Sequence, residues 1–223
     1  MQMLLRDHRG SWGGLGLLRA RGARPFDAAD IARAARLGPA LTAILRRCAT
    51  RAPLVSAVSV PPTGVVLVGP DERIRAATPS ALAWAEHMRA HVRAPEWITL
   101  ASVTGLAMRA RRLPSSSDAG PLVIGPAAVY GGWISVEAQP LDDDIAIVIQ
   151  SAPHSQALAA FCDWYGLTPR ERTMVTHLCD AFSAKQIARL AGLSLHTVND
   201  HLKTIYRKTG ATGRDELTAA LNR

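Results

Sequence analysis

The stretch Ser183–Leu202, with the sequence SAKQIARLAGLSLHTVNDHL, decides the fold of the C-terminal part of the chain. Ser183 and Ser194 are residues that helix N-caps favour, and Gly192 suits the left-handed position at which a helix ends. The spacing therefore predicts a helix, a turn of three residues and a second helix. A turn of this kind sets two helices at a steep angle, so that the second helix can enter the major groove of DNA.

The second predicted helix, residues 195–209, has two chemically different faces. Val198, Leu202 and Ile205 lie within about 60° of one another at about 100° per residue, and they form the predicted core face. Polar residues point the other way, where they suit contacts to bases and phosphates. Asp200 repels a phosphate unless it accepts from cytosine or pairs with a cation, so we expect it to be a surface residue. The candidate DNA-binding residues are Ser183, Lys185, Ser194, His196, Thr197, Asn199, Asp200, Lys203 and Arg207.

Matches at fixed offsets continue on both sides of this motif. They are Leu167-Thr168-Pro169-Arg170-Glu171-Arg172, Ser183-x-Lys185-x-Ile187-Ala188, Leu193-Ser194-x-x-Thr197-Val198-x-x-His201-Leu202 and Ile205-x-x-Lys208. Together they resemble the LuxR-type (GerE-type) DNA-binding domain. The resemblance implies a four-helix bundle over 166–223 whose third helix contacts the major groove, usually as a dimer. Three positions depart from the family pattern: Ala181 replaces the usual Gly, Gln186 the usual Glu and Asn199 a frequent Lys.

Residues 58–152 have the order of a mixed α/β module. The start, GVVLVGPD at 64–71 followed by Arg73-Ile74 and a capped helix, resembles the opening of a PAS-type sensory domain. This resemblance implies a sensory module, joined to the DNA-binding domain by a predicted linker helix over 155–165. The predicted elements are strands over 65–68 and 73–76, helices over 80–92 and 98–108, and strands over 122–124, 133–138 and 145–150.

Residues 1–52 predict a β-hairpin, with strands over 3–6 and 12–18, and then a helix that Asp27 caps and Pro39 kinks or divides. The hairpin and helix resemble the C-terminal end of a GAF-type domain. A whole GAF domain is several times longer before its last helix, so the resemblance implies a remnant without the ligand pocket. Two explanations stay open: translation starts late in the gene, or the remnant serves as a packing or dimerisation surface.

The whole chain has 223 residues, of which 48% are hydrophobic and 20% charged, as is typical of one or two soluble domains. Its net charge is +8, and its three lysines lie between residues 185 and 208. A basic balance favours nucleic acid or another anionic partner. No apolar run approaches the roughly 20 residues that cross a bilayer, and the first apolar run is too short for an export signal. We therefore expect no membrane partner and a cytoplasmic location.

Other patterns that could carry chemistry are weak. His87 and His91 have the i, i+4 spacing of metal ligands, but no third ligand is apparent nearby, so packing or surface roles are predicted. The triplet at 142–144 is predicted to be a solvated turn, because residues 1–157 contain no Lys to accompany a phospho-acceptor Asp. The three cysteines fit neither a disulfide framework nor a zinc cluster. The sequence contains no phosphate-binding loop and no nucleophile elbow. We expect no enzyme activity, no metal and no cofactor.

The predicted fold class is α+β: a PAS-like mixed α/β module followed by an all-α LuxR-type domain over 166–223. The predicted function is a bacterial transcription regulator that binds double-stranded DNA through helix 195–209 as a homodimer, under an unknown small-molecule or protein signal. RNA polymerase is a further candidate partner. One alternative is the promoter-binding part of an alternative sigma factor, which the strand-rich upstream part disfavours. Another is a ligand-converting enzyme with a DNA-binding tail, for which no catalytic motif is present.

Overall fold

The computed structural model describes residues 1–8, 10–51, 54, 59–92, 96–112, 122–124 and 132–221. The chain divides into two compact units, one formed by residues 1–52 and 162–212 and the other by residues 53–161 and 213–223. Among the described residues, no helix combines the length and the apolar character needed to cross a membrane.

The first unit begins with a two-stranded antiparallel hairpin and a long helix. Strand β1 (Gln2–Asp7) pairs with β2 (Gly10–Gly16), and helix α1 covers Ala28–Ala49. Asp27 caps α1 as predicted, because its side chain accepts from the backbone of Asp30 while the Asp30 carboxylate accepts from the backbone of Asp27. Pro39 lies inside α1 without dividing it, so of the two predicted effects division does not occur.

The second unit contains one five-stranded antiparallel sheet with the order β4-β3-β7-β6-β5. The early pair of strands thereby lies beside the late three, and two helices connect them along the chain. The elements are β3 (Gly64–Val68), β4 (Ile74–Ala77), α2 (Pro79–Val92), α3 (Glu96–Arg112), β5 (Leu122–Ile124), β6 (Ile134–Leu141) and β7 (Asp144–Ser151). Every predicted strand and helix of this module is present; β5 has the predicted ends, and the other elements differ from their predicted bounds by one to four residues at one or both ends.

One face of the sheet carries the core of this unit. Alternate residues of β3 and β7 are buried, as a half-buried strand requires. Trp84 of α2 is fully buried among them, and its indole Nε1 donates to the carbonyl oxygen of Pro62 at 2.8 Å. Helix α3 extends four residues beyond the predicted end at 108, and there Arg111 donates to the carbonyl oxygens of Val68 and Gly69.

The weak patterns in this unit have structural roles. The imidazole of His87 packs edge-on against the ring of Trp84, with centroids 5.8 Å apart. Within the described ranges, no group of three His, Cys, Asp or Glu side chains is placed to hold a metal ion. Asp142 and Asp143 form an exposed turn, as predicted, and Asp144 pairs with Arg75 at 3.0 Å.

The C-terminal part of the chain is helical. Helix α4 covers the predicted linker, with both ends one residue earlier than predicted. Helices α6 and α7 form the predicted helix-turn-helix, and α5 precedes it. Helices α5, α6 and α7 belong to the first unit, and α8 belongs to the second. The five helices are α4 (His154–Trp164), α5 (Pro169–Cys179), α6 (Ala184–Ala191), α7 (Leu195–Thr209) and α8 (Arg214–Ala219).

Candidate nucleic-acid interface

Helix α5 is tied to α7 by an ion pair. The carboxylate of Glu171 is almost fully buried and lies 2.6 Å from Lys208 Nζ. Glu171 also completes the capping box of α5, since its carboxylate accepts from the backbone N–H of Thr168 at 2.7 Å. Burial raises the pKa of Glu171, but the hydrogen bonds from Lys208 and Thr168 outweigh it and leave the pKa below its ordinary value. Lys208 therefore holds the domain together, although its place among the three lysines suggested an attraction for DNA.

Helix α6 is closed at both ends by the predicted residues. Ser183 caps it, and Gln186 accepts from the Ser183 backbone at 2.8 Å, so the amide that replaces the family's usual Glu still completes the capping box. Gly192 ends the helix with φ +64°. Ile187 is fully buried. The turn thus positions α7 through backbone chemistry that the sequence predicted.

Helix α7 has a buried face and an exposed face, as predicted. Val198, Leu202 and Ile205 are buried. The opposite side carries polar side chains that face solvent, which we call the outer face of α7: His196, Asn199, Asp200, Lys203 and Arg207. Since the apolar face is consumed by packing, the outer face is free to contact another molecule.

A small charge cluster lies within the outer face. Asp200 Oδ2 lies 3.4 Å from His196 Nε2, and Asp200 Oδ1 lies 3.6 Å from Lys203 Nζ. All three side chains are more than half exposed. Asp200 is therefore a surface residue, as expected, and its partners come from the adjacent turns of the same helix. The carboxylate beside Lys203 partly offsets the charge of that exposed cation.

The remaining candidates lie at the starts of the two helices, where Ser183 and Ser194 are the N-caps and Lys185 and Thr197 belong to the first turns. The Ser183 hydroxyl contacts Gln186 Oε1 at 2.7 Å, and the Ser194 and Thr197 hydroxyls lie 2.8 Å apart. Ser194 also accepts from the backbone N–H of Thr197 at 3.0 Å. Lys185 is exposed in the first turn of α6. These side chains therefore lie where the first turn of each helix presents its N–H groups.

Sequence reasoning overlooked two exposed leucines beside this turn. Leu195 is the first residue of α7 and is 48% exposed, and Leu190 of α6 is 60% exposed. Spacing alone predicts that apolar residues of a helix-turn-helix lie in the core, so no signal separated these two from their buried neighbours. Leu195 therefore adds an exposed apolar side chain at the start of α7, beside the polar outer face.

The hairpin of the first unit contacts the end of α4. The indole rings of Trp12 and Trp164 lie with centroids 4.4 Å apart. Trp12 Nε1 donates to Asp7 Oδ1 at 2.9 Å, and Arg46 Nη1 donates to the other oxygen of Asp7 at 2.7 Å. The two buried tryptophans therefore join β2 to the helix that precedes the helix-turn-helix, within one compact unit.

Residues 166–221 match the family model for bacterial regulatory proteins of the luxR family, GerE. This match confirms a LuxR-type helix-turn-helix domain in that range. A domain of this family is a DNA-binding domain of transcription regulators, so the chain carries the DNA-binding part of a regulator.

Several solved structures are similar to the chain at low identity. The crystal structure of the phage VqmA–DPO complex is similar at 15% identity, covers 82% of this chain and 88% of that chain, and has a TM-score of 0.29. Escherichia coli SdiA is similar at 13% identity, with 72% and 83% covered and a TM-score of 0.25. SdiA in complex with octanoyl-rac-glycerol is similar at 14% identity, with 71% and 80% covered and a TM-score of 0.24. No curated protein matches the chain.

Proposed function

We propose that the chain is a sequence-specific transcription regulator in which the outer face of α7 contacts bases in the major groove. The observation that carries this proposal is the outer face itself. It is a strip of exposed polar side chains, most of them donors, on a helix whose other face is buried, inside the range that matches the luxR family. Asn199 is suited to bidentate contact with adenine, and Lys203 and Arg207 are suited to guanine or phosphate.

In this proposal, residues at the starts of α6 and α7 contact phosphates, and residues of the outer face of α7 contact bases. Ser183, Lys185, Ser194 and Thr197 contact the phosphate backbone from the first turns of α6 and α7, which fixes the register of the protein on the duplex. His196 and Asn199 then contact base edges, and Lys203 contacts a guanine or a phosphate. Asp200 withdraws from Lys203 or accepts from a cytosine amino group.

The upstream residues are proposed to form a sensory module of PAS type over 58–152. One antiparallel sheet that brings two early strands beside three late ones, with helices between them, supports this interpretation. Residues 1–52 are proposed to be a GAF-like remnant, and 155–165 a linker helix. The signal is a small molecule or a protein, and the regulator acts in the cytoplasm as a homodimer on two half-sites, with RNA polymerase as a further partner and no catalytic activity of its own.

The proposal is tested by selecting sites from random duplex DNA with the full chain. We expect a two-fold symmetric consensus, because two copies of α7 contact two half-sites about one helical turn apart. Binding to the selected site should weaken as salt rises. Selection that enriches no sequence, or enriches the same sequence with a chain carrying Asn199→Ala and Lys203→Ala, would contradict the proposal.

A further inference from the structure

Helix α1 exposes a narrow apolar face. Leu37 is 57% exposed and Ile44 is 56% exposed, Cys48 is exposed, and Leu41 is half-buried. At about 100° per residue these four side chains lie within about 60° of one another. We call them the α1 stripe. Large apolar side chains aligned at this exposure are unusual for a surface helix and indicate a surface that another molecule covers.

The other side of α1 is already occupied by its own hairpin. Thr42 is buried there. Gly38, Pro39 and Arg46 line a groove of about 560 Å³ between α1 and β1, and Arg46 pairs with Asp7 of that strand. The helix therefore packs one face on the hairpin, while Leu37, Ile44 and Cys48 of the α1 stripe stay exposed within the described part of the chain. The α1 stripe is not part of the surface that packs on the hairpin, because it lies on nearly the opposite side of the helix from the groove.

The spacing of the α1 stripe is that of a two-stranded coiled coil. Its members follow one another at intervals of four, three and four residues, which are the intervals between a and d positions of a heptad. Pro39 falls at the f position, on the far side of the helix, where a missing N–H does not disturb the stripe. A stripe with this period is complementary to a copy of itself, because each layer then pairs a residue with the same residue.

Charges beside the stripe favour a parallel pair. Arg33 and Arg47 lie along one edge of the α1 stripe, at g positions, and Gly38 and Leu45 lie along the other edge, at e positions. In a parallel pair each g position faces an e position of the partner helix, so the arginines of the two copies stay apart. An antiparallel pair would gather the arginines of both copies along one edge, where like charges repel. Arg33 is also paired within its own chain, 3.0 Å from Asp30, and needs no acidic partner.

We propose that the α1 stripe is the contact surface of a parallel homodimer, in which it packs against the α1 stripe of a second copy. This inference rests on the proposed function in one respect, namely that two chains bind a two-fold symmetric DNA site together. It adds the surface that joins them and the direction in which the helices run. In this arrangement Cys48 of one chain lies directly opposite Cys48 of the other, because it occupies an a position.

The native thiols provide the first test. The full chain is treated with diamide, which accepts two electrons and two protons as two thiols form one disulfide bond. We expect a covalent dimer in the wild type and in Cys179→Ser, and none in Cys48→Ser. Cys162 stays silent because it is buried, which raises its pKa to about 11 and leaves little thiolate. A disulfide needs Cα atoms about 4.4–6.8 Å apart, and the parallel arrangement places the two Cys48 residues opposite each other. The absence of a Cys48-dependent covalent dimer would therefore overturn the parallel arrangement.

The second test removes the contact without touching the fold. Leu37→Glu places two carboxylates in one layer of the dimer, and we expect the dissociation constant of the dimer to rise about tenfold or more in sedimentation velocity without DNA. Leu82→Glu is the matched control, because Leu82 is 64% exposed on α2 and belongs to no stripe. An unchanged dimer in Leu37→Glu, or a wild type that stays monomeric, would overturn the inference.

Binding to a single half-site separates this inference from the proposed function. A half-site needs one copy of α7, so Leu37→Glu should bind it as the wild type does, while losing affinity for the two-fold site. If Leu37→Glu keeps full affinity for the two-fold site, the α1 stripe does not join the chains, although α7 still binds DNA. If no variant, wild type included, binds either site, the proposed function fails whatever the state of the dimer.

Discussion

At the scale of single residues, Asn199 and Lys203 carry the sharpest expectation for DNA. Asn199→Ala should relax sequence preference and cost about 1–3 kcal/mol on the selected site, because a bidentate contact is lost. Lys203→Ala should weaken binding to all sequences and lower the salt slope by about one unit if its partner is a phosphate. Fluorescence anisotropy over a series of salt concentrations measures both effects.

Helicity separates contact from folding in the same experiment. Both side chains are exposed, so circular dichroism should show intact helices in the two variants. Val198→Asp is the contrasting variant, since Val198 is fully buried and an unpaired carboxylate there should unfold the domain. Loss of helicity in Asn199→Ala, with intact helicity in Val198→Asp, would mean that the two faces of α7 are assigned the wrong way round.

Two positions with positive φ make opposite predictions about stability. Ala181 has φ +64°, at the place where the LuxR-type pattern usually has Gly. Gly192 also has φ +64°, and a Cβ added there would meet no atom within 4 Å. The left-handed conformation costs a residue with a Cβ about 1–2 kcal/mol. Ala181→Gly should therefore stabilise the chain by about 1 kcal/mol, and Gly192→Ala should destabilise it by a similar amount.

Urea unfolding followed by circular dichroism measures the pair. Because no contact within 4 Å complicates Gly192→Ala, its cost reports the backbone alone. Equal midpoints for wild type and Ala181→Gly would show that Ala181 does not hold the left-handed conformation in solution. Glycine at this position in the family pattern is consistent with a left-handed conformation at residue 181. Alanine rarely adopts that conformation, so the sequence of this chain did not predict it.

At the scale of elements, the ion pair between Glu171 and Lys208 should make the packing of α5 on α7 sensitive to acid. Lys208→Met removes the partner of a buried carboxylate and should cost about 1.5–3 kcal/mol at neutral pH. The pKa of Glu171 is lowered in the folded chain. Its stabilisation is therefore present above the ordinary Glu pKa of about 4.3 and is lost as the pH falls through the lowered folded value.

The difference in unfolding free energy between wild type and Lys208→Met should accordingly shrink as the solution is acidified below that range. Lys203→Met serves as the control, because Lys203 is 77% exposed and a surface change of this kind costs within about 0.5 kcal/mol. A Lys208→Met penalty that stays constant down to strongly acidic pH would show that the ion pair does not stabilise the folded state.

Elements whose signals are local could be predicted from the sequence, and those set by distant partners could not. Asp27, Ser183 and Ser194 cap the helices predicted for them, because a cap depends on a few adjacent residues. Lys208 pairs with Glu171, which is 37 residues away in the sequence. Its position near the other two lysines suggested an attraction for DNA, and no pattern in the sequence indicated this internal ion pair. The strand order of the sheet likewise depends on long-range pairing that alternation does not encode.

At the scale of the whole molecule, most of the net charge of +8 lies outside the LuxR-type domain, in residues 1–52. Residues 1–52 hold ten arginines, but Arg19, Arg24, Arg33 and Arg46 are paired with Asp side chains of the same segment. All three Asp side chains of the segment are engaged in these pairs, so they neutralise three of its ten positive charges and leave seven in excess. A count from the sequence could not show which arginines are paired, because the pairs join β1, α1 and the residues between them in space.

We expect the salt dependence of DNA binding to arise from α6 and α7. The double variant Arg21→Gln and Arg36→Gln removes two exposed charges of the N-terminal segment and should leave the salt slope of the full chain unchanged. Lys185→Ala with Lys203→Ala removes the same number of charges and should lower the slope by about two units if both touch phosphate. Equal losses from the two double variants would place the footprint across the whole molecule.

The two faces of α7 also bear on how such a protein can diverge. Val198, Leu202 and Ile205 are buried, while His196, Asn199 and Lys203 contact solvent, so the residues that maintain the helix are different from those offered to a ligand. Substitutions of His196, Asn199 or Lys203 should change the free energy of unfolding little, because these side chains are exposed. A duplicated gene can therefore acquire a new DNA sequence preference without compensating substitutions in the core. Recognition in this protein is therefore expected to evolve faster than its architecture.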